Sequence, residues 1–278
     1  MTHPFSYSGR HVVLTGGATG VGAALLDLLV ELGQPEVTVL DVKCPTGPHA
    51  RFIETDLSDE AAVTAAVDAI TGPVDVLFNN AGVNSTAGIP TTIGVNYLAL
   101  RRLCEGLLPQ IPSGGAIVNT ASSAGNGWSA HASEIGELLA LDDWGDAVAW
   151  TEGHRDLYEA GTSDVYFFSK EVVQLLTLRL AIPARTAGVR VNSACPAPID
   201  TPLLADFRTT MSDTIIDWNI DQAGGRLMSP REVAMPLAFL GSEAASYVNG
   251  VNLLVDGGFM AAMTTGQADF SALQGGDS

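Results

Sequence analysis

Tyr166 and Lys170 stand four residues apart in Tyr166-Phe167-Phe168-Ser169-Lys170. On a helix that spacing puts a phenol and an ammonium on one face, the makings of a proton-transfer site. Taken alone, such a pair usually marks surface packing. Two features raise its weight here. The chain has only two lysines, Lys43 and Lys170. Upstream, the apolar run Ala116-Ile117-Val118 leads into Asn119-Thr120-Ala121-Ser122-Ser123, a strand with hydroxyls at its carboxyl end. Open α/β sheets gather ligands at that end.

A second site precedes it. Thr15-Gly16-Gly17-Ala18-Thr19-Gly20-Val21-Gly22 follows the apolar run His11 to Leu14 and opens a helical stretch from Val21 to Leu32. Glycines there allow a tight turn and close backbone approach to a pyrophosphate, whose charge the helix N-terminus favours. Asp41 ends the second strand, 19 residues past Gly22. A carboxylate in that place accepts hydrogen bonds from both ribose hydroxyls of NAD. A 2′-phosphate would meet it as a like charge: at ~5 Å and an effective dielectric of ~20 the repulsion is about 3 kcal/mol per charge. NAD(H) rather than NADP(H) is therefore expected, with Lys43 read as a solvated loop lysine.

The elements that must position these groups alternate. Strands are expected at His11 to Leu14, Val37 to Leu40, Phe52 and Ile53, Val74 to Phe78, Ala116 to Val118, Val189 to Ala194 and Val251 to Val255. Between them lie helical stretches at Val21 to Leu32, Asp59 to Ile70 behind a Ser58/Asp59 cap, Thr92 to Leu108, Val165 to Leu180 and Glu232 to Leu240. Strands apolar on both faces and separated by helices predict a doubly wound, seven-stranded parallel sheet of Rossmann type, with helices on both faces. Residues 1–278 read as a single domain without internal repeat or linker. Roughly Gly125 to Asp164 falls outside the alternation; Ile135, Leu138, Leu139, Trp144 and Val148 there keep helical spacing, predicting one or two inserted helices. The tail after Gly258, ending Gln274 to Ser278, is expected to fray at its tip.

Composition narrows the function. Thirteen basic against 31 acidic residues give a net charge of −18, which opposes nucleic-acid binding. Hydrophobic residues at 46% and charged residues at 16% exclude a disordered chain. Cys44, Cys104 and Cys195 are widely spaced and fit no metal motif, so free thiols in a reducing compartment are expected. His131 and His154 lack a nearby second ligand, so no metal site is expected. There is no signal-peptide pattern at Met1 to Arg10 and no membrane-length apolar run, which together predict a cytoplasmic location.

With Asp56, Asn79-Asn80-Ala81-Gly82, Asn96 in Val95-Asn96-Tyr97, Cys195-Pro196-Ala197-Pro198-Ile199-Asp200-Thr201-Pro202 and Val255-Asp256-Gly257-Gly258 added to the turn, Ser122, Tyr166 and Lys170, the chain resembles the short-chain dehydrogenase/reductase family over nearly its whole length. The resemblance implies that Tyr166 is the acid/base and that Ser122, rather than Ser123, holds the substrate oxygen. Lys170 binds the nicotinamide ribose and depresses the tyrosine pKa, and Asn96 steadies a proton-relay water. It implies cofactor contacts from Thr15, Gly16, Gly20, Val21, Gly22 and Asp41. Asp56 and Leu57 then meet adenine, Asn79 and Asn80 to Gly82 lie along the cofactor, and Pro196, Ile199 and Thr201 flank the nicotinamide. Free tyrosine titrates near ~10, and an ammonium ~4 Å away at a dielectric of ~20 supplies about 4 kcal/mol toward the roughly 2–3 units needed.

Three departures from the family pattern bear on specificity. Forty-three residues separate Ser122 from Tyr166, a feature similar to the bacterial subgroup of coniferyl-alcohol dehydrogenases and 3α-hydroxysteroid dehydrogenase/carbonyl reductases. Val95-Asn96-Tyr97-Leu98, Gly125-Asn126-Gly127-Trp128 and Val248-Asn249-Gly250-Val251 resemble the coniferyl-alcohol members more closely. Two readings of the insertion stand: packing at a subunit face, or a pocket wall lined by Trp128, Trp144, Trp150 or Tyr158. The family's Pro-Gly reads Pro196-Ala197, so the turn is expected to differ. Third, Leu203 to Met228 lies where the family carries a substrate lid; its Leu203, Leu204, Phe207, Met211, Ile215, Ile216 and Trp218 predict a hydrophobic substrate or simply more core.

The leading function is an NAD-dependent oxidoreductase interconverting a hydrophobic, ring-bearing alcohol, aryl-allylic or hydroxysteroid, and its carbonyl. The alternatives are a dehydrogenase of a terpene or other small secondary alcohol, an isomerase or epimerase holding NAD, and a non-catalytic nucleotide-binding scaffold. A homodimer or homotetramer is expected, the insertion favouring the dimer.

Overall fold

The computed structural model describes residues 3–159 and 163–274. Its strands are β1 (His11–Thr15), β2 (Glu36–Asp41), β3 (Arg51–Glu54), β4 (Val76–Asn79), β5 (Ala116–Thr120), β6 (Arg190–Pro196) and β7 (Asn252–Val255). They form one sheet, in the order β3-β2-β1-β4-β5-β6-β7, in which each neighbouring pair is parallel. The chain starts in the middle, steps out to β3, returns beside β1 and steps out again to β7. Strand direction is constant while the order reverses between β1 and β4, so a crevice opens at their carboxyl ends.

The helices are α1 (Gly20–Glu31), α2 (Glu60–Ala69), α3 (Ile89–Ile93), α4 (Ala99–Leu107), α5 (Ala132–Leu139), α6 (Trp144–Gly153), α7 (Val165–Ala184), α8 (Leu203–Met211), α9 (Asp213–Gln222), α10 (Pro230–Gly241), α11 (Phe259–Thr265) and α12 (Ser271–Gln274). Sheet residues alternate between two cores. Val12, Leu14, Val37, Val39, Val76 and Phe78 pack with Leu25 and Leu29 of α1 and Val233 and Leu237 of α10. Val13, Leu40, Leu77 and Ile117 pack with Val63 of α2, Leu103 of α4 and Val172 of α7. Each leucine or valine removed from water contributes about 1.5–3 kcal/mol, so both faces of the sheet need their helices.

Local signals set the helix starts that matter. Asp59 caps α2 by accepting from Ala61 and Ala62 N–H, and Ser229 with Glu232 forms a capping box at α10. Asp164 caps the long α7 through the N–H groups of Tyr166 and Phe167.

The insertion contains two α-helices, α5 and α6, preceded by a 3₁₀ stretch at Ser123–His131. It extends the hydrophobic layer on the α7 side. Ile135, Leu138, Ala147 and Tyr158 are fully or nearly fully buried, with Trp128, Trp144 and Trp150 packed against them. Tyr158 stacks on Phe168 at 5.1 Å between ring centroids, and its hydroxyl donates to the Thr151 carbonyl. The pocket-wall reading of those aromatics is thus corrected: all four pack into the core layer, and α7 offers Trp150 and Tyr158 the Phe168 ring to stack on.

After Gly258 the chain forms α11 and α12 rather than a bare tail. Residues 275–278, the tip expected to fray, lie outside the described residues. No helix among the described residues is long and apolar enough to cross a membrane.

Candidate active site

The crevice is a cavity of about 850 Å³ along the carboxyl ends of the central strands. Its first wall is the turn after β1. Gly16 has φ 72° and Gly20 φ 57°. A Cβ on Gly16 would sit 2.7 Å from Ala81 Cα, and one on Gly22 would collide with the Gly16 carbonyl. Thr19, at the start of α1, makes no side-chain cap, and the first turn holds no acidic residue. The leading N–H groups of a three-turn helix are therefore left for an anion. Thr15 and Gly22 shape this turn rather than line the cavity: the Thr15 hydroxyl accepts from Asn80 and Ala81 N–H at 3.0 Å each, and Asn80 Nδ2 donates to the Gly16 carbonyl. The turn after β4 is thereby locked to the turn after β1.

Asp41 reaches the cavity from the end of β2. Its Oδ2 accepts from Ala18 N–H at 3.0 Å and its Oδ1 from Lys43 N–H at 3.1 Å, which fixes the carboxylate beside the glycine turn. Asp56 and Leu57 lie nearby. Ser58 donates to Asp56 from both its N–H and its hydroxyl, and these bonds hold the Asp56 carboxyl below its usual range. Neither lysine nor arginine lines this end of the cavity.

At the other end, Tyr166 and Lys170 project from α7 toward the cavity. Both are at least nine-tenths buried. Lys170 Nζ donates to the Thr120 carbonyl at 3.1 Å and lies 5.6 Å from the centre of the Tyr166 ring. Ser122 stands two residues past β5; its hydroxyl donates to the Pro196 carbonyl at 3.4 Å and lies close enough to the Tyr166 phenol to influence it. Burial pushes Tyr166 up to about 12, offset in part by Ser122; Asp164 and Cys195 add to the rise. Burial lowers Lys170 to about 8. Burial thus dominates the Tyr166 phenol in the cofactor-free cavity, while the Lys170 ammonium is engaged with a carbonyl.

One further expectation is corrected. Asn79 is buried in the sheet, donating to Asn119 Oδ1 and Cys104 Sγ, so it does not border the cavity; Asn80, Ala81 and Gly82 do. Asn96 is buried as well. Its amide donates to the Val83 carbonyl and to Ser169 Oγ, and its Oδ1 accepts from Val83 N–H. The side chain is a brace for the wall residue Val83. It sits in a π-helical turn, Gly94–Leu98, between α3 and α4, an irregularity common at functional sites.

Pro196, Ile199 and Thr201 line the cavity after β6, with Val21 across from them. Thr201 approaches the place where a Gly20 Cβ would stand to 3.3 Å, so this loop closes over the glycine turn. Ala197 keeps ordinary backbone angles, which is why alanine serves where the family has glycine.

Phe207, named from the sequence as a lid residue, is joined at the cavity by three contributions that sequence reasoning missed. Phe207 of α8 meets the Tyr166 ring edge-on, 4.7 Å between centroids. Gln174, a further helical step from Tyr166 and Lys170, donates to the Ser122 carbonyl at 2.8 Å and sets that serine against α7; the 166, 170, 174 spacing was the available signal. Phe259, Met260 and Met263 bring α11 to the cavity. Among the described residues of the insertion, Asn126 and Gly127 are the ones that reach it.

A protein-family model described as short chain dehydrogenase matches residues 10–134, and one described as enoyl-(acyl carrier protein) reductase matches 130–260. A cis-4-hydroxycyclohexanecarboxylate dehydrogenase of Sinomonas cyclohexanicum is 34% identical over 92% of this chain and 98% of its own. The chain belongs to the short-chain dehydrogenase family. A coniferyl-alcohol dehydrogenase of a Pseudomonas species is 29% identical over 90% of this chain and 96% of its own. Among solved structures, the 3-alpha-hydroxysteroid dehydrogenase from Pseudomonas sp. B-0831, complexed with NADH, superposes with a TM-score of 0.75 at 31% identity, covering 94% of this chain and 100% of that one. A gluconate 5-dehydrogenase homologue with bound NADP, from Beutenbergia cavernae, superposes at 0.71 and 27% identity, covering 93% of this chain and 100% of that one. The protein is therefore an oxidoreductase of this family, and the dinucleotide fits the chain's own features: the collision-tight glycine turn, the uncapped start of α1 and the carboxylate of Asp41.

Proposed function

We propose that the protein is an NAD(H)-dependent dehydrogenase that interconverts a neutral, hydrophobic, ring-bearing alcohol and its carbonyl. The observation that carries this reading is the contrast between the two ends of one cavity. At the adenosine end Asp41 and Asp56 stand without a cation, which favours a free ribose hydroxyl over a 2′-phosphate. At the other end, Tyr166, Ser122 and Lys170 face a wall that α8, α9 and α11 make almost wholly apolar.

Among the described residues, Lys170 is the only lysine or arginine lining the cavity, and it is engaged with Thr120. A substrate carboxylate, such as the one in the name of the Sinomonas relative, would enter an apolar wall with no cation of its own, a costly burial. A neutral alcohol of the kind named for the coniferyl-alcohol and hydroxysteroid relatives meets no such penalty.

The bound nicotinamide supplies the hydride acceptor or donor and, when oxidised, a positive charge. Gly16, Gly20 and the start of α1 would hold its pyrophosphate, Asp41 its adenosine ribose and Lys170 its second ribose. In oxidation Ser122 Oγ donates to the substrate oxygen and orients it, and Tyr166 Oη takes the carbinol proton. In reduction Tyr166 returns that proton to the forming alkoxide. Phe207 and α9 shut water away from the phenol, which strengthens each of these contacts.

The test is absorbance at the reduced-nicotinamide band with NAD and a panel of cinnamyl, benzylic, terpene and steroid alcohols, beside carboxylated analogues. Turnover of neutral members with NAD is expected. Turnover confined to the carboxylates or to NADP would overturn the reading.

A further inference from the structure

The lid side of the cavity is apolar with one exception. α8, α9 and α11 contribute leucine, isoleucine, methionine and phenylalanine side chains, together with Trp218 and Asn219. The Trp218 indole N–H is already donated to the Asp269 carbonyl at 2.5 Å, so this residue offers the cavity only its ring. Asn219 differs. Its Nδ2 donates to the Ile215 carbonyl one helical turn back, at 2.9 Å. A carbonyl can only accept, so this bond fixes which end of the amide is nitrogen. The remaining atom, Oδ1, is a hydrogen-bond acceptor with no protein partner among the described residues.

An oriented acceptor in an apolar wall selects by chemistry as well as by shape. A ligand group that donates a hydrogen bond there is favoured, and a ligand lacking it leaves the amide oxygen unpaired when water is displaced. A ligand anion would face the oxygen's negative end and be disfavoured. The acceptor lies on α9, whereas the lid residue touching the Tyr166 ring is Phe207 of α8. The acceptor thus stands on a different lid helix from the residue that touches Tyr166.

We infer that Asn219 is a specificity-determining residue that accepts a hydrogen bond from a second hydroxyl of the substrate, so that the preferred substrate is a hydrophobic ring compound carrying two hydroxyl groups. This rests on the neutral-alcohol reading above and narrows it.

The experiment compares matched pairs: 4-hydroxycinnamyl with cinnamyl alcohol, and a 3α-hydroxysteroid with and without a 17-hydroxyl. Both kcat/KM with NAD and calorimetric Kd in the presence of NADH are measured for the wild type, Asn219→Leu and Asn219→Asp. In at least one pair the wild type should favour the dihydroxy member by about tenfold. Asn219→Leu should bring the ratio to about one. Asn219→Asp retains an acceptor but loses the Ile215 bond, so it should keep the preference; equal loss in both variants would mean a structural role and overturn the inference. Equal ratios in all three proteins, or no binding of any member, would also overturn it. Hydroxyl-selective binding that depends on Asn219, without turnover, would uphold the inference and refute the dehydrogenase reading instead.

Discussion

Replacing Asp41 by asparagine tests the cofactor assignment at a single atom. The carboxylate accepts one N–H on each oxygen, from Ala18 and Lys43. Asparagine keeps one acceptor and turns an NH₂ toward the other donor, losing a charge-assisted bond of about 1.5–3 kcal/mol. Part of that loss falls on the turn itself, so kcat/KM with NAD should drop about five- to tenfold. The larger effect is on NADP. Removing one unit charge ~5 Å from the 2′-phosphate, at an effective dielectric of ~20, relieves about 3 kcal/mol, or roughly 200-fold. Asp41 is partly exposed, so salt screens the term and a change of tens to about 200-fold in the NAD/NADP ratio is the expected range. Initial rates with both cofactors, at low and at high salt, give the ratio directly. The wild type should prefer NAD, and the variant should lose most of that preference through a gain with NADP that shrinks at high salt. Equal use of both cofactors by the wild type, or an unchanged ratio in the variant, would refute the reasoning.

Lys170 gives a pH signature. Burial lowers it from 10.5 to about 8, so between those values the unfolded chain holds a proton that the folded chain has lost. Lys170 therefore contributes a rise in the stability of the cofactor-free protein from about pH 8 to about 10.5, read as wild type relative to Lys170→Met because the buried Cys104 and Cys195 thiols, raised by burial, lower the total above about pH 9, and below pH 8 the buried ammonium costs about 3 kcal/mol. Lys170→Met removes that cost and leaves the Thr120 carbonyl unpaired, about 1–3 kcal/mol. Thermal unfolding at pH 7 should show the variant no less stable than the wild type, with the pH rise abolished and turnover lost; a variant that melts well below the wild type at pH 7 contradicts the burial argument. At Gly16, φ is 72° and a Cβ would lie 2.7 Å from Ala81 Cα. Gly16→Ala should thus weaken calorimetric NAD binding by about tenfold or more, and unchanged affinity would show that the turn is not the cradle.

The sheet and the positions of the site were largely legible because each rests on a local signal. Apolar runs gave the strands, the Ser58/Asp59 cap marked a helix start, and the Tyr166/Lys170 spacing survives any change of neighbours. What was not legible depends on depth. Asn79 and Asn80 are adjacent, yet a strand end turns one into the core and the other into the cavity. The single extra residue of the Gly94–Leu98 π turn is invisible to a 3.6-residue period. Trp150 and Tyr158 suit a pocket wall or a core equally by type, and the partner Phe168 on which both stack lies on another helix. The sign of the Tyr166 shift followed from burial, which spacing does not report. Phe259, Met260 and Met263 reach the cavity only because Trp218 packs edge-on against Phe259 and ties α9 to the segment after β7.

The central claim is that Tyr166 moves the proton in an NAD-dependent alcohol oxidation. Its most direct test is the rate of NADH formation by Tyr166→Phe, measured beside calorimetric NAD binding. Phenylalanine fills the same buried space and removes only the hydroxyl. The account predicts a loss of turnover of about 10²–10⁴-fold with NAD affinity retained. A variant that keeps most of its turnover would contradict it.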